Sequence, residues 1–308
     1  MLENLQKISA SVLALGTFIT AFQLPASAIS IGVSPPRFEL KLDDKRPTTE
    51  VFRVVNIGSK PATFRIYIQD WTLDEQNKVQ PLPPSEQSLG KWIVVNPGKF
   101  TIPPGKSQTV RFSIRPRIKP QLGEHRTLIY VEEVPNENSD KAPTPVRVVG
   151  RYGVGVYAYV GNIKKVGVIN AIAVDTKNAP VKATFDISSQ GTAHVRMSGQ
   201  YAIWQANKYP GASKTEQISD AGKGKPKLPD GVVAIGSLPS SPVLPDTRRQ
   251  LVLNISQQLA PGNYVLDLNG ELSGTQIDRG INFTVPARMN SNPPSRSSSS
   301  LKNQLRSR

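Results

Sequence analysis

Short strand-like runs separated by turn residues recur along most of the chain, and this pattern constrains the fold more than any other feature. In KWIVVNPGKFTIPPGKSQTVRFSI (91–114), two strand-like runs lie on either side of Pro103-Pro104-Gly105, and in PATFRIYI (61–68) Phe64, Ile66 and Ile68 line one face. Alternation with a period of two is typical of strands with one buried face, and Pro and Gly mark the turns. The turns recur about every eight to twelve residues, the spacing of a β-sandwich. The sequence therefore predicts an all-β protein.

The composition requires that each domain be held together by its own buried core. The chain has 308 residues, enough for two ordinary domains, and no cysteine that could form a disulfide. Segments of the second half repeat those of the first in the same order, for example IPPGKSQTVRFSI (102–114) and VLPDTRRQLVLNI (243–255). We therefore predict two β-sandwich domains in tandem, at 29–160 and 161–288.

The N-terminal 28 residues have the organisation of a secretory signal peptide. Lys7 precedes the apolar run 8–24, and the segment PASA ends at Ala28 in the A-x-A arrangement of a cleavage site. An uncleaved anchor is the alternative, although the run is short for a bilayer span of roughly 20 residues. We predict a signal peptide at 1–28 and a mature chain that is soluble in the periplasm.

Two polar stretches are predicted to lie outside the packed cores. The stretch 205–229 is a polar insertion and is predicted to be a mobile loop. The Ser-rich tail 289–308 has four basic and no acidic residues in a chain of formal net charge +15, and it has little to bury. The tail is therefore predicted to be disordered and able to bind anionic surfaces.

The sequence has no arrangement of residues typical of catalysis or metal binding. The only histidines, His125 and His194, fall in different predicted domains, and no cysteine is present. Trp71, Trp92 and Trp204 are candidates for the floor of a sugar site, but core aromatics of a sandwich are the favoured interpretation. We therefore predict that the protein is not an enzyme and binds no cofactor, metal or nucleic acid.

Several blocks of the first half, in order, resemble one family. The segments SPPRFEL, VNIGSKPATFRIYIQDW, KWIVVNPGKFTIPPGKSQTVRFSI and LGEHRTLIYVEEVP are similar to the periplasmic chaperones of the chaperone–usher pilus pathway (PapD-like). The resemblance covers most of 29–160, and the second half matches only in outline. It implies two Ig-like β-sandwich domains in a boomerang arrangement, with a cleft between them. It also implies that the chain binds incomplete pilus subunits by donating a β-strand.

The resemblance implies two groups of site residues. The family's first-strand arginine, which anchors the client's terminal carboxylate, matches Arg37 of SPPRFEL. A lysine on the last strand of the family's first domain has no match in VRVVGRYGVGVYAYV, where Arg151 is the nearest candidate and Arg147 the next. The glycines of this strand weaken its apolar ladder or permit close approach of another backbone. The predicted donor residues are Val146, Val148, Tyr152 and Val154.

Two accounts of function follow. In the first, the protein is a chaperone whose partners are pilin-like subunits and an outer-membrane usher. In the second, it is a non-enzymatic structural or adaptor protein of the cell envelope that has kept the chaperone fold. Its basic tail would then bind an anionic envelope polymer or a membrane surface.

Overall fold

The structure, a computed structural model, describes residues 31–42, 46–135, 149–219 and 227–287. These residues form two β-sandwiches in tandem, which confirms the predicted all-β fold of two Ig-like domains. The predicted signal peptide, the tail 289–308 and the predicted donor residues Val146 and Val148 lie outside the described residues. Within the described ranges, no helix is long and apolar enough to cross a membrane.

The first sandwich packs a four-stranded sheet against a five-stranded sheet. Its elements are β1 (Ile31–Ser34), β2 (Arg37–Lys41), β3 (Thr48–Asn56), β4 (Ala62–Gln69), β5 (Trp71–Leu73), β6 (Val79–Pro81), α1 (Leu89–Trp92), β7 (Ile93–Asn96), β8 (Lys99–Ile102), β9 (Ser107–Ile114), β10 (Gly123–Val134) and β11 (Arg151–Val160). Sheet 1 has the order β1-β3-β9-β7, and sheet 2 has the order β2-β11-β10-β4-β8. The strands β5 and β6 form a separate hairpin.

The segment 91–114 supplies much of the first core. Alternate residues of β9, Val110, Phe112 and Ile114, are almost fully buried between the sheets. The ring of Phe112 meets that of Phe38 edge-on, with 5.0 Å between centroids. Trp92, in the one turn of α1, is also buried and belongs to the same core. This segment therefore serves to pack the sandwich, in keeping with its lack of acids, histidines and cysteines.

The second sandwich repeats the strand pairings of the first. Its strands are β12 (Gly167–Asp175), β13 (Lys182–Ser189), β14 (Met197–Gln205), β15 (Val232–Ser237), β16 (Arg248–Asn254), β17 (Gly262–Leu272) and β18 (Thr275–Val285). Sheet 3 has the order β12-β13-β16, and sheet 4 has the order β15-β14-β17-β18. In both domains the penultimate strand, β10 or β17, lies between the last strand and the earlier strand β4 or β14.

The polar stretch after β14 packs on sheet 4, which corrects the prediction of a mobile loop for its described residues. The Tyr209 hydroxyl donates to Asp267 Oδ1 at 2.8 Å, and the Ile218 amide donates to Gln200 Oε1 at 2.7 Å. Tyr209 and Ile218 also pack against the buried Trp204 cluster on that face. The overall polarity of this stretch hid these few apolar residues, and burying them holds the chain on the sheet.

Candidate functional site: an open strand edge beside the interdomain contact

The last strand of the first domain, β11, has a partner on only part of one edge. Along its whole length it pairs antiparallel with β10. On its other edge, β2 pairs with it in parallel only from Gly155 to Tyr159, and the Gly155 amide donates to the Pro36 carbonyl at 3.2 Å. Among the described residues, nothing pairs with the segment Arg151–Val154 on that side. We call this segment the open edge.

The open edge presents backbone hydrogen-bonding groups from two residues. Gly150 accepts a hydrogen bond from the Glu133 amide of β10 at 2.9 Å. Because the direction of backbone hydrogen bonding alternates along a strand, the N–H and C=O groups of Arg151 and Gly153 point away from β10. They face the side that β2 does not reach. This geometry can accept one added strand.

The open edge ends where β2 begins. A strand that runs parallel to β11 along the open edge meets Pro36 and Arg37, so it must end or turn away there. Arg37 lies opposite Gly155, its side chain is 44% exposed, and its Nε is 3.1 Å from Glu39 Oε1. Arg37, the first residue of β2, is therefore the basic residue beside the end of the open edge.

The second predicted anchor, Arg151, lies apart from Arg37. Four residues of strand separate Arg151 from Gly155, the partner of Arg37, which corresponds to about 13 Å. The Arg151 guanidinium lies 4.5 Å from the centroid of the Tyr130 ring, and its Nη1 donates to the Tyr67 hydroxyl at 2.9 Å. The structure therefore does not bring the two arginines onto a single carboxylate.

The two described donor candidates face the core of the first domain. Val154 is fully buried in the core, so its side chain is committed to packing. Tyr152 is half-buried and packs against the same cluster. The predicted donor residues are an even number of positions apart and therefore share one face of the strand. In the described part of β11, this face points towards the core of the first domain. What remains available at the open edge is the backbone.

The glycines of β11 are covered by aromatic rings. A Cβ at Gly153 would lie 3.2 Å from Tyr130 Cε1, and one at Gly155 would lie 3.2 Å from Tyr157 Cε2. Rings that cover glycines stabilise strands that otherwise have little side chain to pack. Because Gly153 has no side chain, another backbone can approach the middle of the open edge closely.

The outward face of β11 beyond the open edge is buried against the second domain. Tyr157 and Tyr159 pack in a cluster with Trp71 of the first domain and with Ala193 and Leu244 of the second. Neither tyrosine was among the predicted site residues. The segment YGVGVYAYV could have indicated them, because it has apolar residues on both faces of the strand. A strand of this kind is buried on both faces.

A buried polar cluster joins the two domains beside these rings. Glu124 of β10 has a fully buried side chain and accepts from the His194 amide at 2.9 Å and from His194 Nδ1 at 2.6 Å. Arg196 Nε donates to His194 Nε2 at 3.1 Å, and Arg196 Nη2 donates to the Tyr157 hydroxyl at 2.5 Å. Because Nε2 accepts, His194 is neutral, and burial lowers its pKa in agreement with this. We call Glu124, His194, Arg196 and Tyr157 the interdomain cluster.

A second contact between the domains involves the hairpin β5–β6. Arg249 of β16 donates from Nη2 to the Leu73 carbonyl at 3.0 Å and from Nη1 to the Asp74 carbonyl at 2.5 Å. Asn77 Nδ2 donates to the Gln250 carbonyl at 2.8 Å. Two separate sets of contacts thus connect the sandwiches. Together they oppose a change in the angle between the domains.

Glu39 links the open edge to the interdomain contact. It pairs with Arg37 and accepts from the Tyr159 hydroxyl and from Lys165 Nζ, each at 2.7 Å. Burial by itself raises the pKa of Glu39, but the hydrogen bonds from Lys165 and Tyr159 outweigh it and hold this pKa at about 2.

The pKa of Glu39 predicts an acid-dependent loss of stability. The folded-state pKa of Glu39 lies below its ordinary value of 4.5. Ionised Glu39 therefore stabilises the folded chain fully at pH values above 4.5. The contribution is lost as the pH falls towards 2. We expect Glu39→Gln to lower the melting temperature most near neutral pH and progressively less below pH 4.5. Thermal melts of both proteins across this range measure the effect, and a difference that does not change with pH would contradict the assignment.

The comparisons with known proteins give structural neighbours only. No family model matches the chain, and no curated protein matches it. It is similar to the class 5 fimbriae chaperone CfaA, at 14% identity over 84% of this chain and 100% of that chain, with a TM-score of 0.39. It is also similar to the CsuC–CsuE chaperone–tip adhesion subunit complex from archaic chaperone–usher Csu pili of Acinetobacter baumannii. Here the identity is 15% over 82% and 97% of the two chains, with a TM-score of 0.40.

A third neighbour is the E. coli chaperone DraB, at 12% identity over 84% of this chain and 99% of that chain, with a TM-score of 0.37. Many of the neighbours are thus pilus chaperones, the class of protein that the sequence motifs resemble, and all three similarities are at low identity.

Proposed function

We propose that this protein binds an extended segment of another polypeptide by β-strand addition at the open edge of β11. In this role it acts as a periplasmic, non-catalytic chaperone of pilin-like subunits that lack a strand, with an outer-membrane usher as a further partner. The observation that carries the proposal is the open edge itself. Two residues of β11, Arg151 and Gly153, have backbone groups aimed at a side where β2 is missing.

The geometry suits a partner that cannot complete its own sheet. Backbone hydrogen bonds from β11 satisfy the partner's exposed edge, which otherwise promotes aggregation. Such bonds do not depend on sequence, so one chaperone can serve several related subunits. Tyr152, half-buried at this end of the sandwich, is placed to extend the apolar core towards the side chains of the added strand.

The end of the open edge supports recognition of a chain terminus. The parallel strand β2 blocks further pairing from Gly155 onward, and Arg37 stands at that point. The interdomain cluster and the hairpin contact hold the second domain beside it. We propose that Arg37 receives the terminal carboxylate of the client in the cleft between the domains.

A proline at Arg151 tests the proposed strand addition directly. The Arg151 amide points towards the open edge, so Arg151→Pro removes a donor that a client needs without removing a bond to β10. We expect Arg151→Pro to abolish co-purification of a strand-deficient pilin-like subunit from the periplasm. Arg151→Ala, which keeps the amide, should retain most of it.

Melting temperatures of both variants close to that of the wild type would establish that they are folded. If the folded proline variant captures the subunit as well as the wild type, strand addition at this edge is wrong. The envelope adaptor would then be the better account of the fold.

A further inference from the structure

Two side chains of β10 lean over Gly153, in the middle of the open edge. A Cβ at Gly153 would lie 3.2 Å from Tyr130 Cε1, 3.3 Å from Leu128 Cδ2 and 3.5 Å from Tyr130 Cδ1. Tyr130 lies directly opposite Gly153 and Leu128 opposite Gly155, so both share the outward face of sheet 2 with these glycines. The space above Gly153 is therefore lined by apolar atoms that belong to the neighbouring strand.

Contacts with neighbouring side chains fix both lining residues. The Tyr130 ring stacks on the Tyr67 ring of β4, with 5.0 Å between centroids and 28° between planes. The Arg151 guanidinium lies 4.5 Å from the centroid of Tyr130 and donates to the Tyr67 hydroxyl. Leu128 packs against the apolar cluster that contains Tyr157. Both side chains are therefore in place before a strand is added, which reduces the entropy lost when another side chain packs on them.

Gly153 is the one outward position of β11 at which an added strand can reach these two side chains. From Gly155 to Tyr159 the neighbouring place is taken by β2, and Arg37 Cγ would lie 3.8 Å from a Cβ at Gly155. Arg151, at the start of the open edge, has a long side chain of its own. Among the described residues of β11 that face outward, only Gly153 thus has neither a side chain nor a partner on its free edge.

Resting on the proposed function, we infer that the open edge selects a client strand with a long apolar side chain opposite Gly153. Residues opposite each other share a face of the sheet, and their Cβ atoms lie about 4.5–5.5 Å apart. An aromatic or long aliphatic side chain crosses the place of the missing Cβ and packs on Tyr130 and Leu128 at about 4 Å. A side chain that ends at its Cβ stays short of them, because the lining atoms lie beyond Gly153, on the side of β10.

Two synthetic peptides of equal length, with Val at every second position and Thr between, test the inference. In the first peptide one central Thr is replaced by Phe, and in the second the same Thr is replaced by Ala. The Val side chains then share one face of the added strand, and the replaced position lies on the other. By fluorescence anisotropy with the full chain, we expect the Phe peptide to bind about three- to tenfold tighter than the Ala peptide.

Two variants remove the contact in different ways. Gly153→Val keeps the backbone amide but fills the space that the Phe side chain must cross, and Tyr130→Ala removes the ring. We expect either change to reduce the preference for Phe to about twofold or less. Gly98→Val is the matched control and should preserve the preference, because Gly98 is exposed and a Cβ there meets nothing within 4 Å. If Gly153→Val does not fold, Tyr130→Ala decides the test.

The outcomes separate the inference from the proposed function. Equal affinity of the two peptides, with binding lost in Arg151→Pro, would overturn the apolar preference and leave strand addition standing. A preference for Phe that persists in the folded variants at Gly153 and Tyr130 would also overturn the inference, because the contact would then lie elsewhere. Binding that survives in folded Arg151→Pro would overturn strand addition at this edge, and the inference with it. No binding of either peptide would overturn both.

Discussion

Arg37→Ala is expected to abolish capture of a strand-deficient client while the chain remains folded. The arginine stands where β2 blocks the open edge, and a client that ends there buries its carboxylate against this guanidinium. Removing one partner of a charge pair that binding desolvates costs about 2–5 kcal/mol. Since about 1.4 kcal/mol corresponds to a tenfold change in affinity, we expect the dissociation constant to rise at least ~30-fold.

The fold should tolerate this change because Arg37 is partly exposed and its only described ion pair is with Glu39. Exposed pairs of this kind contribute about 1 kcal/mol or less. Arg111→Ala is the matched control, since Arg111 is also an exposed strand arginine but lies in sheet 1, away from the open edge. Titration of each variant with a purified client subunit measures the effect. Equal affinity of both variants and the wild type would remove Arg37 from the proposed site.

Glu124→Ala is expected to destabilise the folded chain strongly, because it removes a buried side chain at the contact between the domains. The Glu124 side chain is fully buried and accepts from the backbone and side chain of His194. Arg126 Nη1 lies 3.6 Å from its other oxygen. Without the carboxylate, the two His194 donors lose their acceptor in a buried site, and the Arg126 guanidinium, whose side chain is 20% exposed, loses its described ion pair. We expect the free energy of unfolding to fall by about 3–5 kcal/mol.

Denaturant unfolding at neutral pH measures this loss, and Glu86→Ala provides the control. Glu86 pairs with Lys91 at 2.5 Å, but its side chain is 72% exposed. Its removal is expected to change the free energy of unfolding far less than Glu124→Ala does, because solvent screens an exposed ion pair. Similar losses in the two variants would show that the interdomain cluster does not lock the domains together.

The sequence alone determined the architecture, for a local physical reason. Period-two alternation, with Pro and Gly between the runs, specifies strands with one buried face. In the segment 91–114, which was predicted to form strands, Val110, Phe112 and Ile114 are buried on one face of β9. The repeated order of segments predicted a second sandwich, and its strand pairings match those of the first. The few apolar residues of the stretch after β14 were missed, because average polarity does not reveal where single side chains pack.

Only the tertiary structure decided where the site residues lie relative to one another. Arg37 and Arg151 both belong to the first domain, but the register of β2 on β11 places them four residues apart along the strand. Register depends on hydrogen bonds between segments more than a hundred positions apart, and no local pattern contains it. The same holds for the interdomain cluster, where Glu124 and His194 meet across 70 positions of chain. The sequence therefore determined which strands form, and long-range pairing determined which edge stays open and which charges lie beside it.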